Sequence, residues 1–250
     1  SYLNKIIKLI TMFSKNFYHR IKYQIDKKAI FEVFYQFFLD RLKHPFVKTR
    51  KNKLKEIHQN YLQTKKTTTD YFSINAYYWD LIINKNFKKF SYLEVGSWEG
   101  NSALFILENF ETKKVVCVDI WDVYEDKYKE EHLKRFLNFK SNLDQFKERF
   151  SFFKSTSDKY FEHNNEKFDL IYIDGSHEAP QVYKDICNSW NILNNDGIII
   201  CDDYFYGDIK SNLDKNLPAY AINKFISQNT QKIKIICVNN NQIFLKKISN

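Results

Sequence analysis

Five acidic residues close apolar stretches of this chain: Glu94, Asp119, Asp174 and the adjacent pair Asp202 and Asp203. A carboxylate at the end of a buried apolar strand is costly unless it is paired or holds a ligand. Glycine is scarce, with five in 250 residues, and Gly96, Gly100, Gly175 and Gly207 follow those same stretches while Gly197 precedes the last one. Where glycine is this rare, each one answers a backbone need that other residues cannot meet. Glu94 stands two residues before Gly96 in an ExGxxxG loop, where it would repel a pyrophosphate but suits a ligand carrying an ammonium group. Asp119 lies 19 residues past Gly100, where an acid can accept both hydroxyls of a ribose. Asp202 and Asp203 repel one another and so favour a cation partner. They could equally cap a turn or a helix. His177 follows Asp174 on the same loop. An imidazole with an ordinary pKa of about 6.5 fits a general base there, and fits as well a structural histidine bonded to a carbonyl or carboxylate.

The elements that must position these groups alternate. Apolar runs at 92–95, 115–120, 151–154, 169–174 and 197–203 read as strands, with helical stretches at 102–110, 122–149 and 178–193 between them. Such alternation predicts a parallel sheet covered on both faces, with ligands beyond the carboxyl ends of the strands. A helix near 219–228 and two runs at 232–238 and 242–248, joined by VNNNQ, predict a closing antiparallel hairpin. A further helix is expected over 71–84. The fold class is α/β, a Rossmann-like sheet of seven mostly parallel strands with a C-terminal antiparallel hairpin and an N-terminal helical extension. Residues 3–42 read as helix, with Ile30, Phe34, Phe37, Phe38 and Leu42 at helical spacing. His44-Pro45 breaks that pattern, and 47–69 is a basic stretch, either a short helix or a linker. The division is thus a basic helical extension over 1–70 and a ligand-binding domain over 71–250.

The net charge of +9 belongs to the extension. Residues 1–70 hold 16 Lys and Arg against 5 Asp and Glu, a net of +11, and the rest of the chain is −2. Basicity therefore says little about what the domain binds. It supports only a clamp on nucleic acid by the extension, and no zinc knuckle or RNA-binding pattern accompanies it. Cys117, Cys187, Cys201 and Cys237 form no CxxC pair, which suits core thiols in a reducing cytoplasm. No apolar run is long enough to span a membrane. Lys5 and Lys8 interrupt the opening SYLNKIIKLITMF, which makes a poor signal peptide and could form an amphipathic surface helix. A cytoplasmic protein is expected, with peripheral membrane contact and a homodimer left open.

Glu94-Val95-Gly96-Ser97-Trp98-Glu99-Gly100 and Asp119 together fit a cationic nucleoside, and S-adenosylmethionine is one. Residues 71–248 resemble class I S-adenosylmethionine-dependent methyltransferases. ExGxxxG at 94–100 is similar to their first motif, Asp119 to their ribose-binding acid, and Lys154-Ser155-Thr156-Ser157 to the segment flanking the adenine. Asp174-Gly175-Ser176-His177 and Asp202-Asp203-Tyr204 resemble the IDGxH and DDY motifs of metal-dependent O-methyltransferases of catechols and sugars. The match departs at Ala179, where relatives have Tyr, and at Ser155, where many have Gly. The resemblance implies that Glu94, Gly96, Ser97, Gly100, Asp119, Ile120, Trp121, Thr156, Ser157 and Asp174 hold the cofactor. It implies that Asp174, Asp202 and Asp203 hold Mg²⁺ or another divalent cation, and that His177 and Asp174 are catalytic. The expected reaction is methyl transfer to a hydroxyl of a small glycan, sugar nucleotide or related metabolite. The alternative is an RNA methyltransferase that uses the basic extension.

Overall fold

In this computed structural model the described residues are 27–121, 128–207, 216–239 and 241–248. Seven strands form one sheet: β1 (Phe90–Val95), β2 (Thr112–Asp119), β3 (Phe150–Lys154), β4 (Phe168–Ile173), β5 (Leu193–Cys201), β6 (Ile233–Val238) and β7 (Ile243–Lys247). Their order is β3-β2-β1-β4-β5-β7-β6. β1 to β5 run parallel, and β7 runs antiparallel to both of its neighbours. The order reverses between β1 and β4, the switch point at which open α/β sheets bind ligands.

Strand alternation sorts the core into two layers. Tyr92, Cys117, Tyr172, Ile200 and Phe244 face one side, with Trp79, Leu104 and Phe139 above them. Val95, Val118, Ile173, Ile199 and Leu245 face the other, with Tyr160, Ile186, Trp190 and Phe225 below. Helices α2 (Ala76–Asn86), α3 (Asn101–Asn109) and α4 (Lys129–Leu143) supply the first cover. Helices α5 (Ser157–His163), α6 (Ala179–Ile192) and α7 (Pro218–Gln228) supply the second. Continuing the same alternation past each strand end puts Asp119, Asp174 and Asp202 on the side of Glu94 and Tyr172. Four of the five acids therefore share one face and one edge.

The N-terminal region differs from the sequence expectation. Helix α1 (Lys27–Leu62) runs through Pro45 instead of breaking there. Proline removes the hydrogen bond to the Arg41 carbonyl, and ties on either side of it hold the helix. Asp40 pairs with Lys51 at 3.1 Å across the proline, Tyr78 donates to Asp40 at 2.9 Å and Arg50 pairs with Asp80 at 2.7 Å. The basic stretch after Pro45 is thus helix as far as Leu62. The helix expected over 71–84 opens instead as a 3-10 turn over Ser73–Asn75 before α2. Of the long helix expected over 122–149, Lys129–Leu143 is α-helical, and 122–127 lie outside the described residues. The first part of the helix expected over 3–42 also lies outside them.

Candidate active site

Each strand end on the switch-point edge passes its backbone on to the next. Gly96 N–H donates to Val118 O, Asp174 N–H to Val95 O and Asp202 N–H to Ile173 O. The acids therefore emerge side by side. Gly96 (φ 90°) is required by this packing, because a Cβ there would overlap the Asp174 carbonyl. The glycine serves the approach of one loop to another as much as any ligand. Gly100 (φ 85°) then turns the chain into α3.

Around this loop lie polar atoms without partners. Glu94 is fully buried; its Oε2 accepts from the Tyr92 hydroxyl at 2.5 Å, and its Oε1 has no hydrogen-bond partner. Ser97 Oγ and Asn101 Oδ1, both buried, are unpartnered as well. Burial pushes the Glu94 carboxyl up to about 7, against the hydroxyls of Tyr92, Ser102 and Ser97, which favour its charge. An unsatisfied buried acceptor costs about 1–3 kcal/mol, so Glu94 Oε1 and Asn101 Oδ1 fit a ligand that brings donors, an ammonium group among them. Asp119 ends β2 with Oδ2 accepting from Trp98 N–H at 2.8 Å and Oδ1 from Trp121 N–H at 3.1 Å. Burial raises its pKa while those N–H groups oppose the rise. Trp98 (φ 49°) is a third exposed and lies under the Arg135 guanidinium at 3.7 Å. Trp121 is buried and donates from Nε1 to the Trp98 carbonyl at 2.7 Å.

The other predicted cofactor residues stand further along the edge. Ile120 is half-buried beside Asp119. Thr156 caps α5, accepting from Lys159 N–H at 3.3 Å. Ser157 accepts from Gln181 at 3.2 Å on α6, where Asp185, pushed up to about 6 by burial, shares the same amide.

The metal-type acids form a second cluster. Oxygens of Asp174 and Asp203 and a ring nitrogen of His177 lie within 4.8 Å of one another. His177 Nε2 is 2.6 Å from Asp203 Oδ2, and its ring lies against that of Tyr206, centroids 4.7 Å apart and tilted by 31°. The Asp203 bond raises the His177 pKa against burial. Asp203 (φ 55°) has a left-handed backbone, and Asn241 Nδ2 donates to Oδ1 of both Asp202 and Asp203, at 2.6 and 3.2 Å. Asp202 points inward and is satisfied by Gln242 at 2.9 Å, Asn241 at 2.6 Å, the Asp203 N–H at 2.7 Å and the Tyr172 hydroxyl. The Tyr172 hydroxyl also faces Asp174 Oδ2 at 2.9 Å, one proton for two carboxylates. Burial, then the charges of Asp202 and Asp203, pushes Asp174 well up, and burial pushes Asp202 up. The crowded carboxylates of Asp174 and Asp203 fit a divalent cation.

Asn241 and Gln242 carry no sign in the sequence, since VNNNQ reads only as a turn. Gln242, fully buried, links Asp202 to Trp79 Nε1 at 3.0 Å, and Asn241 reaches both Asp202 and Asp203.

Residues 93–204, from β1 to the turn after β5, match the sequence model of a family described as a methyltransferase domain. Over 112 of its 250 residues the chain is thus similar to a methyltransferase domain. Its fold is the Rossmann-like fold of the solved methyltransferases to which it is similar. No curated protein matches the sequence. Among solved structures, the chain is similar to an O-methyltransferase from Bacillus cereus in complex with S-adenosylhomocysteine (SAH), at 12% identity and a TM-score of 0.55, covering 87% of this chain and 100% of that one. The SAH-bound methyltransferase PaMTH1 of Podospora anserina shares 15% identity at a TM-score of 0.54, covering 83% and 96%. MycE, from the mycinamycin biosynthetic pathway and in complex with Mg, SAH and mycinamycin VI, shares 15% identity at a TM-score of 0.53, covering 78% and 54%. The matched residues span both acid clusters. No helix among the described residues is long and apolar enough to cross a membrane.

Proposed function

We propose that this domain moves the methyl group of S-adenosylmethionine to a hydroxyl of a small carbohydrate-type acceptor. The observation that carries the reading is the meeting of Asp174, His177 and Asp203 beside the loop of unpartnered acceptors. Glu94 receives the ammonium group of the cofactor and Asp119 its ribose hydroxyls. Asp174 and Asp203 hold a divalent cation, with Asp202 behind them fixed by Gln242 and Asn241. A divalent cation held there would supply Lewis acidity toward an acceptor hydroxyl.

The transfer is an in-line displacement: the acceptor oxygen forms a bond to the methyl carbon, the carbon–sulfur bond breaks, and its electron pair stays on sulfur. The protein's share is alignment, worth about 7–11 kcal/mol in well-oriented reactions, and removal of the hydroxyl proton. His177 takes that proton. With Nε2–H donating to Asp203, Nδ1 is the accepting atom, and the Asp203 carboxylate stabilises the imidazolium formed. Tyr206, half-exposed and packed against His177, offers its ring to a sugar.

The test is transfer of labelled methyl from S-adenosylmethionine to a panel of sugars, sugar nucleotides, catechols and structured RNA, with Mg²⁺ or with EDTA. We expect turnover on a small hydroxylated acceptor that falls by about a hundredfold or more in Asp203→Asn and Asp174→Asn. Undiminished turnover of both variants in EDTA would remove the metal from the reading. Methylation of RNA alone would replace the acceptor class.

A further inference from the structure

We propose that Glu99 is a positioning residue that locks residues 66–69 across the cofactor loop, making the N-terminal region part of the cofactor site. The inference rests on the cofactor reading above. Glu99 is fully buried, although Trp98 before it is a third exposed. Its Oε2 accepts from the backbone N–H of Thr68 at 2.6 Å and from the Thr68 hydroxyl at 3.0 Å, while its Oε1 accepts from Asn138 on α4 at 2.8 Å. Two asparagines complete the clasp. Asn142 accepts from Lys66 N–H at 2.7 Å and donates to the carbonyls of Lys66 and Glu99, both at 3.0 Å. Asn101 donates to the Thr69 carbonyl at 3.2 Å.

One carboxyl group thus ties together three pieces of chain: the loop before α3, helix α4, and the segment that leaves α1 after Leu62. A buried carboxyl held by neutral donors is an expensive way to fasten an exposed segment if only stability were at stake. Its location explains the expense. Ser97, whose hydroxyl faces Glu94, and Asn101, whose Oδ1 is unpartnered, flank Glu99 by two residues on either side. The Trp98 N–H, immediately before Glu99, is bonded to Asp119. Any shift of Glu99 therefore displaces the groups assigned to the cofactor, and displacements of about 1 Å cost such sites about a hundredfold.

Glu99→Gln keeps the shape but sets an NH₂ donor against either Thr68 N–H or the Asn138 amide. Thr68→Val is milder, removing the hydroxyl and keeping the N–H. Asp169→Asn is the control: Asp169 binds Ser91, Lys113 and Asn194 at the opposite end of the sheet, so it perturbs stability away from the loop. Calorimetric titration of the full chain with SAH is read beside each variant's melting temperature. We expect SAH affinity to fall about tenfold in Glu99→Gln and about threefold in Thr68→Val, as loss of one or two hydrogen bonds implies. KM for S-adenosylmethionine should rise likewise, with the acceptor KM unmoved. Asp169→Asn should lower the melting temperature and keep its affinity. Wild-type affinity in both clasp variants, or losses no larger than in a control equally destabilised, would overturn the proposal; should Glu99→Gln not fold, Thr68→Val decides it. A wild-type protein that does not bind SAH would be a different result, overturning the cofactor reading and this inference with it.

Discussion

Replacing Glu94 with glutamine separates what this carboxyl does to the fold from what it does for a ligand. Glu94 is fully buried, and burial lifts its pKa from the ordinary 4.5 to about 7. Below pH 4.5 the carboxyl is protonated in both folded and unfolded chains and its burial is tolerated. As pH rises from 4.5 to about 7 the unfolded chain releases the proton first, and stability falls; above 7 the loss is complete. At about 1.4 kcal/mol for each pH unit, that interval amounts to about 3 kcal/mol. Glu94→Gln does not titrate. It should therefore be more stable than wild type at pH 8, by about 2–3 kcal/mol after allowing for a weaker bond from Tyr92, and close to wild type at pH 5. Urea denaturation of both proteins at the two pH values measures this directly. The ligand side has the opposite sign. A glutamine cannot pair with an ammonium group, so SAH affinity at pH 8 should fall by about tenfold or more. Wild-type affinity should improve as pH rises through 7, and the variant's should not. A variant less stable than wild type at pH 8, or one that binds SAH as tightly, would refute the assignment of Glu94.

Other predictions draw on different parts of the molecule. His58 is buried between Phe72 and Phe105, and burial lowers its pKa to about 4. Stability present above pH 6.5 should therefore drain away as pH falls towards 4, by about 3 kcal/mol, and His58→Leu should flatten that acid limb in denaturation curves. Gly96→Ala combines a left-handed φ with overlap on the Asp174 carbonyl, and should cost about 2 kcal/mol or more in thermal unfolding. Gln242→Ala leaves both Trp79 Nε1 and Asp202 short of a partner in a buried place and should cost about 2–3 kcal/mol, with divalent-cation affinity, read by calorimetry, falling as well.

Much of this geometry was legible in the sequence, and the reason is periodicity. Strands buried on both faces read as apolar runs, so β1, β2, β4 and β5 stand out, and the residue after each run falls at the carboxyl edge. The closing hairpin was legible for the same reason. What escaped was whatever depends on distant partners. The asparagine turn after β6 reads as a turn and nothing more. It reaches Asp202 only because β7 inserts between β5 and β6, a register no local pattern encodes. Glu99 reads as one more surface acid in a glycine loop, and its burial depends on Thr68 and Asn138, each more than thirty residues away in sequence. Pro45 misled for a complementary reason: local sterics favour a break, and the ties from Asp40, Lys51 and Tyr78 override it. The adjacency of Asp202 and Asp203 was plain, but the left-handed backbone of Asp203, a conformation aspartate adopts more readily than most residues, has no local sign.

The account stands on the carboxyl edge between β1, β2 and β4 being a site for S-adenosylmethionine. Calorimetric titration of the wild-type chain with SAH at pH 8, in EDTA, tests that most directly. One SAH should bind per chain with a Kd in the micromolar range, about −8 kcal/mol, and should do so without a metal ion because the acids assigned to the cation are separate from Glu94 and Asp119. No heat of binding at millimolar SAH, with the protein folded, would contradict the account.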